Sequence, residues 1–258
     1  MNDGPRAIWV TRPAAGARRT TAALNKAGYE AIVAPVLAVG PTPPEPMPQE
    51  PWPDWIIFVS ATAVEGLVYA RTLAGFPPSN HQAKIAVIGR RSAEAAHAAG
   101  FTVVLTPEKE SARGLAAAFG AYDLAGARIW IPGGNRKGSA REELPEELNR
   151  AGAQVTTFQV YDTRDRRLMA DELALLEAAT PGAMLFHSPS AAEALFRADQ
   201  PAPVARWRDS ATCVAIGETT RRRLAQLGAR QIFVSRQPSD AGVLTALGES
   251  GLAATRRP

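Results

Sequence analysis

The chain of 258 residues is 46% apolar and 21% charged, with 29 Lys+Arg against 25 Asp+Glu for a formal charge of +4. That balance fits a folded protein of one large or two small domains and excludes wholesale disorder. No apolar run reaches the roughly 18–20 residues of a membrane span, and the single cysteine, Cys213, excludes an internal disulfide framework.

The start runs from Met1 into Ile8-Trp9-Val10 without a basic region followed by a long apolar stretch, so a cytoplasmic protein is expected. A helical stretch and Ala27-Gly28-Tyr29-Glu30 follow. Residues 41–53 contain seven prolines, which favours an extended connector over helix or central strand. Short apolar runs at 55–59, 84–88 and 102–105 then alternate with Ala-rich helical runs at 63–73 and 92–99. Near-continuous apolar strands separated by helices imply a parallel sheet covered on both faces, an α/β fold.

The second half repeats the first. Phe58-Val59-Ser60-Ala61-Thr62 aligns with Phe186-His187-Ser188-Pro189-Ser190 at an offset of 128 residues. The same offset carries Val87-Ile88-Gly89 onto Ala215-Ile216-Gly217, Gly100 onto Gly228, and Ser111 onto Ser239. Arg128-Ile129-Trp130-Ile131, before Ala151-Gly152, answers to Ala7-Ile8-Trp9-Val10, before Ala27-Gly28. A period above a hundred residues means two similar domains, not a solenoid.

In an open parallel sheet, ligands collect beyond the carboxyl ends of strands, where helix N-termini expose amides. Those turns here hold small hydroxyl residues: Ser60 and Thr62, Ser92, Ser188 and Ser190, Thr219 and Thr220. Thr11-Arg12-Pro13 and Gly133-Gly134-Asn135-Arg136 fill the same place in the short pieces. Each hydroxyl reads equally as an ordinary helix cap, yet six paired turns together suit a ligand with several carboxylates or phosphates.

Familiar catalytic patterns fail. Gly133 to Ser139 has Lys137 and Gly138 transposed relative to a phosphate loop, and His187-Ser188 lacks the acid partner of a triad. The histidines at 81, 97 and 187 show no metal-ligand spacing, so neither metal nor cofactor is expected. Cys213 lies in an apolar strand and reads as inert core. Arg164, Arg166, Arg167 and Arg221-Arg222-Arg223 lack aromatic interleaving, so neither nucleic acid nor membrane is an expected partner. Tyr161, at a candidate crossing between domains, reads either as a weak acid facing a cleft or as a half-buried structural tyrosine.

Thr11-Arg12-Pro13, Phe58 to Val64, Val87-Ile88-Gly89, Val160-Tyr161, Phe186 to Ser190 and Ala215 to Thr220 together resemble the uroporphyrinogen-III synthase family. The resemblance implies two flavodoxin-like parallel-sheet domains joined by a two-stranded linker, with the chain crossing twice. Residues 1–34 and 167–258 would form one domain and 41–157 the other, with 35–40 and 158–166 as hinge. It further implies cyclisation of hydroxymethylbilane, with the last pyrrole inverted, to uroporphyrinogen III by a monomer. Tyr161 matches the family's hinge tyrosine, a proton donor to the departing hydroxide. Thr11, Arg12, Ser60, Thr62, Ser92, Ser188, Ser190, Thr219 and Thr220 would hold the acetate and propionate groups. The chain departs from the pattern at Val59 and His187, where Thr is frequent, at Ser92, and at Gly133, where an arginine is frequent and Arg136 would compensate. The competing reading is a two-lobed module that binds a polycarboxylate without turning it over; a nucleotide-sugar transferase would need phosphate-binding signatures that the sequence lacks.

Overall fold

The computed structural model describes residues 6–42, 52–76, 82–136 and 139–254. The chain opens with β1 (Arg6–Val10), α1 (Ala14–Lys26), β2 (Ala31–Val33) and β3 (Leu37–Pro41). There follow β4 (Trp55–Phe58), α2 (Ala61–Leu73), β5 (Lys84–Val87), α3 (Arg90–Ala98), β6 (Val103–Leu105) and α4 (Ala112–Phe119). Next come β7 (Arg128–Gly134), α5 (Ser139–Arg150) and the twelve-residue β8 (Gln154–Asp165). The last stretch holds α6 (Ala170–Ala178), β9 (Thr180–Phe186), α7 (Pro189–Leu195), α8 (Ala202–Ser210), β10 (Thr212–Ala215), α9 (Glu218–Gln226), β11 (Ile232–Val234) and α10 (Asp240–Glu249).

Two units result: Met1–Ala38 with Arg164–Pro258, and Val39–Thr163. The boundaries between the units fall inside β3 and β8. One sheet has the order β11-β10-β9-β1-β2, the other β3-β8-β7-β4-β5-β6. The pairings from β11 through β2, and from β8 through β6, are parallel. If the strands are matched by the internal repeat, β7-β8 with β1-β2 and β4-β5-β6 with β9-β10-β11, both sheets have one spatial order. It is the doubly wound 2-1-3-4-5 order. The second unit reaches it with its short piece last in the chain, and adds β3 at the edge.

Each sheet is buried on both sides because successive strand residues face opposite helical layers. In the first unit Trp9, Met184, Phe186 and Cys213 pack with α6 to α9, while Ile8, Val10, Leu185 and Val214 pack with α1 and α10. In the second, Trp55, Ile57 and Ile129 face α4 and α5, while Ile56, Phe58, Trp130 and Val160 face α2 and α3. Trp9 and Trp207, both fully buried, meet edge-on at 5.8 Å. Their indole N–H groups donate to the carbonyls of Ala34 (2.8 Å) and Leu176 (2.9 Å), so burial leaves neither donor unmet. Cys213 is 2% exposed, and burial pushes its thiol up to about 12, as suits an inert core residue.

The repeat survives at residue level: β5 and α3 superpose in number on β10 and α9 at the 128-residue offset. Gly100 and Gly228 follow those helices with φ of +82° and +86°, the left-handed conformation that favours glycine after a helix. The helix starts differ from the sequence expectation. α2 begins at Ala61 and α3 at Arg90, two residues before the helical runs read from 63 and 92, so Thr62 and Ser92 both lie within first turns. The apolar periodicity that marks a helix becomes visible only after its polar first turn. Most of the proline-rich segment, with His81, Lys137 and Gly138, lies outside the described residues.

α10 is fastened to α1 by one carboxylate. Asp240, its side chain 14% exposed, accepts from Arg19 Nε and from Thr20 Oγ1, both at 2.7 Å, and Arg12 donates to Thr20 Oγ1 at 3.2 Å. Burial alone would push the Asp240 carboxyl up; the hydrogen bonds from Thr20 and Arg19 and the charges of Arg19 and Arg12 outweigh it and hold the carboxyl below its ordinary value. A depressed pKa contributes stability above the unfolded value, about 3.9, that disappears as pH falls through the folded one. Asp240→Asn is expected to lower stability at pH 7 by about 1 kcal/mol, the exposure of Arg19 screening any larger effect. Urea unfolding of the two proteins should converge as the pH is taken below about 4; a constant difference would show that the charge plays no part.

Candidate functional site

The point in each doubly wound sheet where strand order reverses lies between β1 and β9 in one unit and between β7 and β4 in the other. Crevices form there beyond the carboxyl ends. The turns that leave those four strands carry Thr11-Arg12, His187-Ser188, Gly134-Asn135-Arg136 and Val59-Ser60. The topology thus sets Thr11, Arg12 and Ser188 around one switch point, and Ser60 and Arg136 around the other.

Ser60 and Ser188 are the N-caps of α2 and α7, in extended conformations that match to within a few degrees (φ −157°, ψ 155° and φ −161°, ψ 155°). Each Oγ accepts from the amide three residues on, at 3.2 Å from Ala63 and 3.3 Å from Ala191. The cap uses a lone pair and leaves the hydroxyl proton available to an outside acceptor. Thr62 and Ser190 sit half-buried in the same first turns.

Other hydroxyls turn inward. Thr11 is fully buried, and its Oγ1 donates to the carbonyl of Leu185 at 2.6 Å, tying the end of β1 to β9. Ser92 and Thr220 are 5% and 3% exposed within α3 and α9. These three side chains are buried, where the family resemblance would have them hold acetate and propionate groups. Thr219 is exposed.

The caps of α3 and α9 are Gly89 and Gly217, so neither helix has a side-chain cap of its own. At α3 the place is taken by a residue twenty positions on: Glu110 Oε1 accepts from the Arg90 amide at 3.0 Å. Oε2 comes so near that a Cβ on Gly89 would lie 2.7 Å from it. The corresponding residue of the repeat is Pro238. At α9, Glu218 is instead drawn along the helix by Arg221 (2.7 and 2.8 Å) and Arg222 (3.2 Å). Those hydrogen bonds, with the charges of both arginines, bring its carboxyl down to about 2.

Arg12 is half-buried and folds its guanidinium over Gly16 as it donates to Thr20. Arg136 donates through Nε to the carbonyl of Thr163 at 3.1 Å. Tyr161 lies on β8 just past a bulge: Gly133 pairs with Gln159 but Gly134 pairs with Tyr161, leaving Val160 as the extra residue. Its ring is pressed over Gly134, where a Cβ would stand 2.6 Å from Cζ and 3.0 Å from Oη. On the preceding residue, the Val160 carbonyl is approached by α2 so closely that a Cβ on Gly66 would lie 2.5 Å from it. The Tyr161 hydroxyl has no hydrogen-bond partner among the described residues.

Sequence reasoning missed Glu110 and Gly66, although both left a trace in the repeat, where Glu110 answers to Pro238 and Gly66 to Ala194. It set Gly134 and Asn135 in a candidate turn without their contacts to Tyr161 and Thr163.

A family model described as Uroporphyrinogen-III synthase HemD matches residues 18–245. A protein of Methanothermobacter thermautotrophicus, provisionally named uroporphyrinogen-III synthase, is 30% identical over 241 residues, which cover 88% of this chain and 92% of that one. The uroporphyrinogen-III synthase of Synechococcus elongatus is 29% identical over 163 residues, 61% of this chain and 60% of that one. Among solved structures, uroporphyrinogen-III synthetase from Helicobacter pylori shares the fold, with a TM-score of 0.64 at 19% identity. That match covers 96% of this chain and 98% of the other.

The borrowed cap of α3 is directly testable. Glu110→Ala leaves the Arg90 amide without its acceptor and is expected to lower stability by about 0.5–1 kcal/mol in urea unfolding. Glu110→Gln keeps an acceptor oxygen and should lose less than half as much. Equal losses would show that the contact with the amide is not what matters.

Proposed function

This chain belongs to the uroporphyrinogen-III synthase family, and from that membership we propose that it closes hydroxymethylbilane to uroporphyrinogen III. In this reading the C–O bond of the hydroxymethyl group breaks and the leaving hydroxide takes a proton, so that water departs and an azafulvene, still protonated on its ring nitrogen and cationic, remains. The substituted carbon of the terminal pyrrole attacks the azafulvene carbon to form a spiro centre. The bond from that centre to the neighbouring bridge carbon then breaks and re-forms at the other α-carbon of the ring. That carbon loses its proton, and the ring ends inverted.

The bilane left alone closes without inversion, so the protein must govern shape as well as promote loss of water. Proximity and orientation carry that task. Tyr161 is the proposed proton donor to the leaving hydroxide. The observation that carries this reading is its phenol, half-buried against Gly134, with an oxygen that no described residue engages. The proton released from the ring carbon at closure balances the one it gives.

The carboxylates of the bilane are proposed to meet the hydroxyl protons of Ser60 and Ser188, with Thr62, Ser190 and Thr219 beside them and Arg12 and Arg136 as the nearby cations. At α9 the amides of Glu218, Thr219 and Thr220 meet no acceptor among the described residues, which supports a carboxylate there. Thr11, Ser92 and Thr220 would act through packing alone. Residues 35–40 and 158–166 are proposed as the hinge that lets the two units adjust to the substrate.

The assay is isomer analysis. Freshly prepared hydroxymethylbilane, with no added metal or nucleotide, is expected to give the type III porphyrin after oxidation and chromatography. Type I product alone from folded protein would overturn the assignment in favour of a module that binds without turnover. Tyr161→Phe is expected to lower turnover about 100-fold while affinity for the product stays near that of the parent protein. An unchanged turnover number would remove the tyrosine from the chemistry.

A further inference from the structure

Tyr161 stands at the end of the β7–β8 ladder. The last pair of β7 and β8 is Gly134 with Tyr161, and β8 continues to Asp165 with β3 along its other edge but no backbone of β7 beside it. The side chain of Asn135 takes over. Its Oδ1 accepts from the Thr163 amide at 2.9 Å and its Nδ2 donates to the Thr163 carbonyl at 3.2 Å. One carboxamide thus presents an acceptor and a donor to a single residue, as a paired strand would. Arg136 Nε adds a second donor to the same carbonyl at 3.1 Å.

We propose that Asn135 is a positioning residue for Tyr161, fixing the strand two residues beyond it so that the phenol stays seated on Gly134. The inference rests on the reading of Tyr161 as proton donor. Three contacts then define the ring. The bulge at Val160 sets which residue faces Gly134. The missing side chain of Gly134 lets the ring lie against the strand backbone, since a Cβ would overlap Cζ at 2.6 Å. The carboxamide of Asn135 fixes the β7-facing edge of β8 just past the bulge, where the β7 backbone no longer pairs with it. A general acid needs its proton within hydrogen-bond reach of the leaving oxygen, so a ring free to swing would bind substrate as before and turn it over more slowly.

The test compares kcat and KM for hydroxymethylbilane across Asn135→Ala, Asn135→Asp, Tyr161→Phe, Gly134→Ala and the double variant Asn135→Ala/Tyr161→Phe. Asn135→Ala is expected to lower kcat about tenfold with KM almost unchanged. Asn135→Asp should recover most of the loss, because its Oδ1 still accepts from Thr163 while Arg136 still serves the carbonyl. In the double variant, removing Asn135 should add nothing to the loss caused by Tyr161→Phe, since contacts that act through one another are not additive. Gly134→Ala, which unseats the ring without touching Thr163, should reproduce the fall in kcat.

Equal losses from Asn135→Ala with and without the tyrosine hydroxyl would overturn the inference and leave the proton-donor reading intact. A parent-like kcat for Asn135→Ala would do the same. If Tyr161→Phe itself keeps full turnover, the proton-donor reading fails and takes the inference with it.

Discussion

Two glycines govern the backbone of β8. Gly66 lets α2 approach the Val160 carbonyl, and Gly134 lets the next residue's ring lie against β7; a Cβ on Gly66 would overlap backbone, and one on Gly134 would displace the ring. Overpacking at Gly66 is relieved only by shifting a helix or a strand, at a typical loss of about 1–3 kcal/mol. The bulge, the phenol and the first turn of α2 form one packed arrangement. Ser60 caps the helix that Gly66 seats, so the position of a candidate ligand hydroxyl and that of the candidate acid are tied through a single close contact.

The duplication explains why sites of similar form recur in the chain. Both sheets have one spatial order, so both have a switch point with a serine-capped helix on one side. Chain order differs: the short strand-helix-strand piece comes first in one unit and last in the other. That permutation makes β8 the strand that leaves the second unit, and Tyr161 falls on its last residues there. The counterpart strand β2 has three residues and ends at Val33, with no extension past its partner β1 to need an Asn135. The tyrosine and its supports therefore belong to one copy only.

Much of this was legible in the sequence because it depends on local pattern. Apolar runs marked the strands, the fixed offset paired β5 and α3 with β10 and α9, and Gly100 and Gly228 marked helix ends. The inward turn of Thr11, Ser92 and Thr220 was not legible, since a hydroxyl at a turn reads alike whether it faces water or a neighbouring strand. Thr11 reaches a carbonyl 174 residues away, and Asn135 reaches Thr163 across 28. Such contacts are fixed by sheet register, and register follows from the whole pattern of burial, not from any short motif.

The two copies have also diverged in what their turns can offer an anion. Helix N-termini carry unmet amides and a positive end of the macrodipole, and a nearby carboxylate satisfies both. In the second unit the protein supplies that carboxylate itself, since Glu110 occupies the amide of Arg90. In the first unit a proline stands in the matching position, and Glu218 is held by Arg221 and Arg222 along the flank of α9. A carboxylate brought by a ligand would compete with Glu110 at α3 but would meet no such rival at α9. Equivalent turns in a duplicated fold therefore differ in what they leave open to an anion.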